Sequence, residues 1–468
     1  MSRSISEQCR HHAPSFAGIA LAVVGLFRFP LFQQFRFVGD SDRWNHFLSL
    51  LYYEGQGFSG GHPRLWGENL FLGFDLRSLP FSGLLHPVHF LYRIGASFDL
   101  IQVSTLVTLF SLFLSLLLAY SLGFYLFRKR LIALAVACVY SLSQYAILKL
   151  SQNDNTFWNF LFAPAMFWLV LLAKDRKSSP LVLLMGALVW LAVYSVFLQE
   201  FAYSCFFLLC FAMFEFIGGR RRPLGVLCAG MALGLVAASP RIFSLAHSLQ
   251  SSDRGGVAWG VNEEVSFRLF LRYLQGWVFG LSAGHQLDHV GTATALPNFS
   301  EGNLMHSSIF GSLVVLLALL GTIWKALRRR LAGGRIWCGP LFYAGFVVVA
   351  FLVMHYLPAY YKFSGLFLFA PFMHGRLGFA ALLPASLLLA RELSRRDRFS
   401  LRSERQVSRV GLGLMSFGLI VVSAPAFLYG DQKILAPHGI FWSSPGLSPL
   451  FIPALVQWAV LALTDDDD

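Results

Sequence analysis

Long apolar runs cut by short basic clusters constrain this chain more than any other feature. The run at 101–127 carries no charged side chain and ends on Arg128-Lys129-Arg130. Comparable runs recur from residue 14 to residue 463, and 18 or more apolar residues are enough to cross about 30 Å of hydrocarbon. Only 13% of the residues are charged, against roughly 25% in soluble domains, and the mean hydropathy is +0.60. A soluble core cannot accommodate such a chain. The expectation is an all-α polytopic membrane protein.

The formal net charge of +13 follows the same pattern. Most Lys and Arg sit in short clusters between apolar runs: Arg3/Arg10, Arg128 to Arg130, Lys174/Arg176/Lys177, Arg220 to Arg222, Lys325 to Arg335, and Arg391 to Arg409. Such residues resist translocation and mark cytoplasmic loops, so the basic balance reports topology and gives no reason to expect nucleic acid. With the clusters as fixed points, a cytoplasmic N-terminus (1–13) leads into a first span at 14–32, which lacks a cleavage site and is expected to be retained. An outer loop at 33–99 follows. Residues 131–173 lie between two inside clusters and must go out and return, with 149–156 as the outer turn. Residues 181–217 would extend about 55 Å as one helix, so they should fold back at Gln199-Glu200. The N-terminal transmembrane module therefore covers 14–239. A second outer loop occupies 240–305, C-terminal helices fill 306–463, and an acidic tail ends the chain at 464–468. The total is about twelve spans with two long outer loops.

Polar residues then gather on one expected face. The first loop opens with "FVGDSDRWNHF", which holds Asp40, Asp42 and His46, and continues to Trp66 and Glu68 in "GHPRLWGENLFLGFD". Asp40 and Asp42 are tethered near the bilayer by the first span. A carboxylate there can act as general base on a hydroxyl or supply oxygen to a divalent cation. The outer turn adds Asp154, and the second long loop opens with Arg241. Arg376, in "PFMHGRLGF", stands 15 residues before Arg391, about 22 Å up a helix. An intramembrane charge of this kind is costly and points to function, with snorkelling to the headgroups as the bland alternative. The six cysteines avoid the long loops and show no C-x-x-C spacing, so neither a disulfide framework nor a cysteine nucleophile is expected. There is no Gly-rich phosphate loop ending in Lys-Ser/Thr, and no H-E-x-x-H. Serine and zinc chemistries are not expected either.

A long outer loop with an acidic opening, a second acidic turn between the third and fourth spans, and a second long loop after the seventh resemble the GT-C superfamily of membrane glycosyltransferases. Within it, "GDSDRWNHFLSLLYYEGQ", "PRLWGENLFLGFDLRSLPFSGLLHPVHFLY", "ASPRIFSLAHSLQSSDR" and "EGNLMHSSIFGSLVVLLALLG" are similar to bacterial YfhO-like membrane proteins. The resemblance implies a GT-C-like fold in the bacterial cytoplasmic membrane and transfer of a sugar from a polyprenyl-phosphate carrier to a lipid or glycan acceptor at the outer face. It implies Asp40, with Asp42, as the catalytic acid position. It also implies Asp154 as a second acidic or metal site, for which magnesium or manganese is the cofactor to test. Arg376 and Arg241 would bind the donor phosphate, for which an Arg fork is suited. His46, Trp66, Glu68 and Glu200 would support the site. The rival expectation is a transporter or flippase of a lipid-linked or amphiphilic substrate. The long loops and absent repeat weigh against that reading. A third expectation is a ligase acting on diphosphate-linked polysaccharide, which would place its large loop nearer the C-terminus.

Overall fold

The computed structural model describes residues 15–17, 19, 20, 66, 67, 74, 75, 100–141, 143, 146, 158–176, 178–195, 198–250, 320–324, 338–356 and 378–395. Within them the chain is almost wholly helical. A two-residue antiparallel pairing joins β1 (Trp66–Gly67) to β2 (Phe74–Asp75), with Trp66 opposite Asp75. The helices are α1 (Leu100–Phe127), α2 (Arg130–Ser141), α3 (Asn159–Leu172), α4 (Ser178–Ser195), α5 (Leu198–Ile217), α6 (Arg221–Ala237), α7 (Ser239–Gln250), α8 (Cys338–Tyr356) and α9 (Gly378–Arg395).

Among the described residues, Leu106–Phe127 and Glu200–Ile217 are long and apolar enough to cross a membrane. The pair α6–α7 forms a third candidate if its two helices are taken together across a 69° bend, and several shorter apolar helices pack beside them. Most of the expected first span at 14–32, and residues 306–319, 325–337, 357–377 and 396–463 of the expected C-terminal helices, lie outside the described residues.

Contacts reveal how the helices run. Gly123 meets Ala133, and the Ser115 and Ser141 hydroxyls are 2.8 Å apart. Both pairs are centred on residue 128, so α1 and α2 form an antiparallel hairpin. Its turn uses Arg128 at φ 59°, whose N–H bonds the Phe124 carbonyl at 2.9 Å, a left-handed cap that silences a terminal carbonyl. A Cβ on Gly123 would lie 2.9 Å from the Ala133 Cα, so the hairpin closes only because that position has no side chain. The α5 C-terminus is also capped. Gly219 at φ 86° donates to the Phe216 carbonyl, and Arg220 N–H reaches the Glu215 carbonyl at 2.9 Å, the paired bonds of a Schellman motif.

Parallel pairs come next. Gly186 meets Leu233, Gly230 meets Met185, and Gly234 meets Val189; the numbers rise together, so α4 and α6 run the same way. The same holds for α3 and α5 through Asn159–Glu200, Phe167–Phe207 and Lys174–Glu215. The chain therefore turns back between α4 and α5, as expected for 181–217. Helix α8 runs opposite to α5, with Phe207 on Phe346 and Phe211 on Phe342. In α9, Phe379 stacks edge-on against Phe160 at 4.8 Å, which sets its start beside the start of α3. These rings belong to, or pack against, one hydrophobic core. Side-chain packing of this kind drives association where lipid tails are as apolar as the helices, and aromatic pairs add about 0.5–1.5 kcal/mol each.

Where the second outer loop was expected to begin, at 240, the chain stays helical to Gln250 after a break at Ala238 and a 69° bend. Pro240 explains both facts. Its ring clashes with the carbonyl four residues back and ends α6, while its fixed φ suits the first turn of a new helix.

Candidate functional site

The helix directions sort the buried polar groups into two layers. Helices α3 and α5 are joined at one end by Asn159 Nδ2, which donates to Glu200 Oε2 at 3.0 Å. At the other end Lys174 Nζ lies 2.8 Å from Glu215 Oε1. Fifteen residues of rise on each helix separate the layers by about 22 Å, most of a hydrocarbon core.

The Lys174 layer is the basic end. Glu215 also accepts from Arg220 Nη1 at 2.8 Å, and Lys174 Nζ sits 5.2 Å from the Phe211 ring centroid, within cation–π range. Arg128 to Arg130 and Arg220 to Arg222 end or begin helices at this level. Two cations on one carboxylate fasten α5 where the chain leaves the apolar region.

At the opposite layer the charged side chains buried among the described residues are Glu200 and Arg241. Glu200 lies in the first turn of α5 and is fully buried, and its carbonyl accepts from Ser204 Oγ at 3.1 Å. The Glu200 carboxylate is within electrostatic reach of the Tyr140 hydroxyl. That hydroxyl is fully buried with no hydrogen-bond partner among the described residues. The Tyr140 ring packs 5.4 Å from Phe160, and Ser115 Oγ bonds the Phe160 carbonyl at 3.3 Å. Four helices, α1, α2, α3 and α5, thus contribute polar atoms to one buried layer. Chemically, the layer offers a carboxylate, an amide and a phenol beyond the reach of bulk water, a setting in which each polar interaction is strengthened. Arg241 shares this end. It lies in the first turn of α7, which begins where α6 stops, and its side chain is 2% exposed.

Of the residues singled out from sequence, Glu200 and Arg241 are brought to the same end of the bundle. Trp66 takes part in the β1–β2 pairing. Asp40, Asp42, His46, Glu68, Asp154 and Arg376 lie outside the described residues, Asp154 five positions before Asn159 and Arg376 two before Gly378. Among the described residues no group of three or more His, Cys, Asp or Glu could hold a metal, and Glu200 with Asn159 alone supplies too few oxygens for magnesium or manganese. A divalent cation therefore depends on the loop acids. Three patterns in the long loops also fall outside the described residues. Gly57-Phe58-Ser59-Gly60-Gly61 and Gly280-Leu281-Ser282-Ala283-Gly284 match G-x-S-x-G, and His285 and His289 have the four-residue spacing of paired zinc ligands. The sequence therefore contains the serine and histidine patterns that the expectation above set aside; a nucleophile elbow also needs a strand–turn–helix around its serine.

Sequence reading missed Asn159, Tyr140, Lys174 and Glu215 as partners. The available signal was a lone polar residue inside an apolar run, Asn159 in "TFWNFLF" and Glu215 in "FAMFEFI". No family model matches the sequence, and no curated protein matches it.

Proposed function

We propose that this chain is a glycosyltransferase of the bacterial cytoplasmic membrane, with its N-terminus in the cytoplasm. It moves a sugar from a polyprenyl-phosphate donor to a lipid or glycan acceptor at the extracytoplasmic face. The observation that carries the reading is the gathering of buried Glu200, Asn159 and Arg241 at the end of the bundle away from the basic clusters. The sequence reading expects the loop that opens with Asp40 and Asp42, the turn with Asp154, and Arg376 on that same side. An acid near the headgroups and an Arg for the phosphate are what the reaction requires.

In this reading the donor enters laterally from the outer leaflet and Arg376 or Arg241 holds its phosphate. Asp40, with Asp42 beside it, takes the proton from an acceptor hydroxyl. The hydroxyl oxygen attacks the anomeric carbon, and the bond to the carrier phosphate breaks with inversion, so the phosphate leaves with its electron pair. Asp154 is the candidate for a divalent cation, and Glu200 with Asn159 orders the helices beneath the site.

A transporter or flippase is the second reading. It is favoured by Glu200 itself, since a fully buried acid in a membrane bundle often marks a substrate or ion path.

Reconstitution with a panel of polyprenyl-phosphate sugars separates the two readings. The transferase reading expects product from the wild type, a loss of 100-fold or more in Asp40→Asn, and a smaller loss in Glu200→Gln. No transfer with any donor, together with labelled lipid crossing the bilayer, would replace it by the second reading.

A further inference from the structure

Helix α7 is set apart by its angle, its depth and its two faces. It leaves α6 at 69° after a break of one residue. Helix α6 has 17 residues and rises about 25 Å from the basic cluster Arg220 to Arg222. In a hydrocarbon layer of about 30 Å, it stops a few ångströms short of the far surface. A helix that turns through 69° at that depth runs close to the membrane plane.

Its side chains divide accordingly. Arg241 and Leu245, four residues apart, face the bundle and are 2% and 5% exposed. Pro240, Phe243, Ala246 and His247 form the outward stripe and are exposed. Phe243 is 73% exposed and continues the lipid-type surface of α6, where Val236 is 72% exposed. An aromatic at the centre of an exposed stripe, on a helix lying at the acyl–headgroup boundary, has the character of an in-plane anchor, which rests about 5–10 Å into that boundary.

We propose that α7 is an interfacial helix seated on the phospholipids of the leaflet opposite the basic clusters, with Phe243 inserted at the top of the acyl chains and Arg241 turned inward at headgroup depth. The occupant of the face centred on Phe243 is the bilayer itself, with His247 at the edge of the stripe that opens to water, and the inference stands whether or not sugar is transferred.

The test places benzoylphenylalanine at Phe243 and, separately, at Leu245, in the full chain reconstituted into phosphatidylethanolamine–phosphatidylglycerol vesicles. After irradiation, adducts are mapped by mass spectrometry. Position 243 is expected to give phospholipid adducts at the glycerol or in the upper half of the acyl chain. Position 245 is expected to crosslink within the chain, which also shows that the bundle is folded. Adducts near the terminal methyl groups would make α7 a re-entrant or spanning segment and overturn the proposal. Crosslinks from 243 to protein, or none to lipid, would overturn it as well.

Discussion

Glu215 shows how much a single acid can organise in an apolar helix. It binds both Lys174 and Arg220 at 2.8 Å, but the two cations are not equivalent. The Lys174 side chain is 22% exposed and that of Arg220 is 63% exposed, so water screens the second pair far more. Glu215→Ala leaves Lys174 half-buried without its carboxylate and should cost about 2 kcal/mol. Arg220→Ala should cost well under 1 kcal/mol. Thermal unfolding of the detergent-solubilised variants measures both, and equal losses would contradict the asymmetry. The sequence carried this acid in plain sight in "FEFIGGRRR". Which cation it pairs with was not legible, because Lys174 arrives from 41 residues earlier in the chain. Glu200 was legible only as a polar point in a long apolar run. Sequence reading put it in a turn, whereas it lies in the first turn of a helix, fully buried against Asn159.

Between elements, glycines decide which helices can touch. Helices α4 and α6 run parallel, and their contact depends on glycine at three places. A Cβ on Gly230 would stand 2.4 Å from Met185 Cγ, and one on Gly234 would stand 2.5 Å from Val189 Cβ and 2.6 Å from the Gly186 carbonyl. Gly225, on the same helix, meets nothing within 4 Å. Two substitutions to alanine should therefore move in opposite directions. Gly225→Ala gains about 0.5–1 kcal/mol from the backbone entropy and propensity of glycine. Gly234→Ala loses about 1–3 kcal/mol, because neither a backbone carbonyl nor a β-branched side chain can step aside. The readout is the midpoint of thermal unfolding, and a stabilised Gly234→Ala would rule out the close parallel contact. Sequence gave the boundaries of several of these helices to within a few residues, since basic clusters and apolar runs mark them directly. Pairing was not readable in the same way: small residues spaced along α6 announce a contact surface without saying whose. The helix that follows Ala238 was not legible for a related reason, since a proline in the first turn of a helix looks the same in sequence as a proline that opens a loop.

For the whole molecule, the two polar layers set a direction. The Lys174–Glu215–Arg220 layer coincides with clusters that favour the cytoplasmic side, and the Asn159–Glu200 layer lies about 22 Å away along the same helices. Sequence alone could order the clusters and alternate the runs between them, and the directions of the described helices follow that alternation from α1 to α6. Its reach ended at the site, because a bundle interior is assembled from residues far apart in the chain, as Ser115, Tyr140, Asn159 and Glu200 are here. Sidedness remains the property on which every site assignment turns, and two exposed residues report it. Arg176 is exposed just past α3 at the basic end, and His247 is exposed on α7 at the other. In intact cells a membrane-impermeant maleimide should label His247→Cys and spare Arg176→Cys until the membrane is permeabilised, with the unaltered chain as the background for its native thiols. The reverse pattern would put Glu200 and Arg241 on the cytoplasmic side, where a polyprenyl-phosphate sugar of the outer leaflet is out of reach, and the proposed reaction would go with it. Equal labelling of both from outside would break the opposition of the two ends, and with it the crossing of the bilayer by α6.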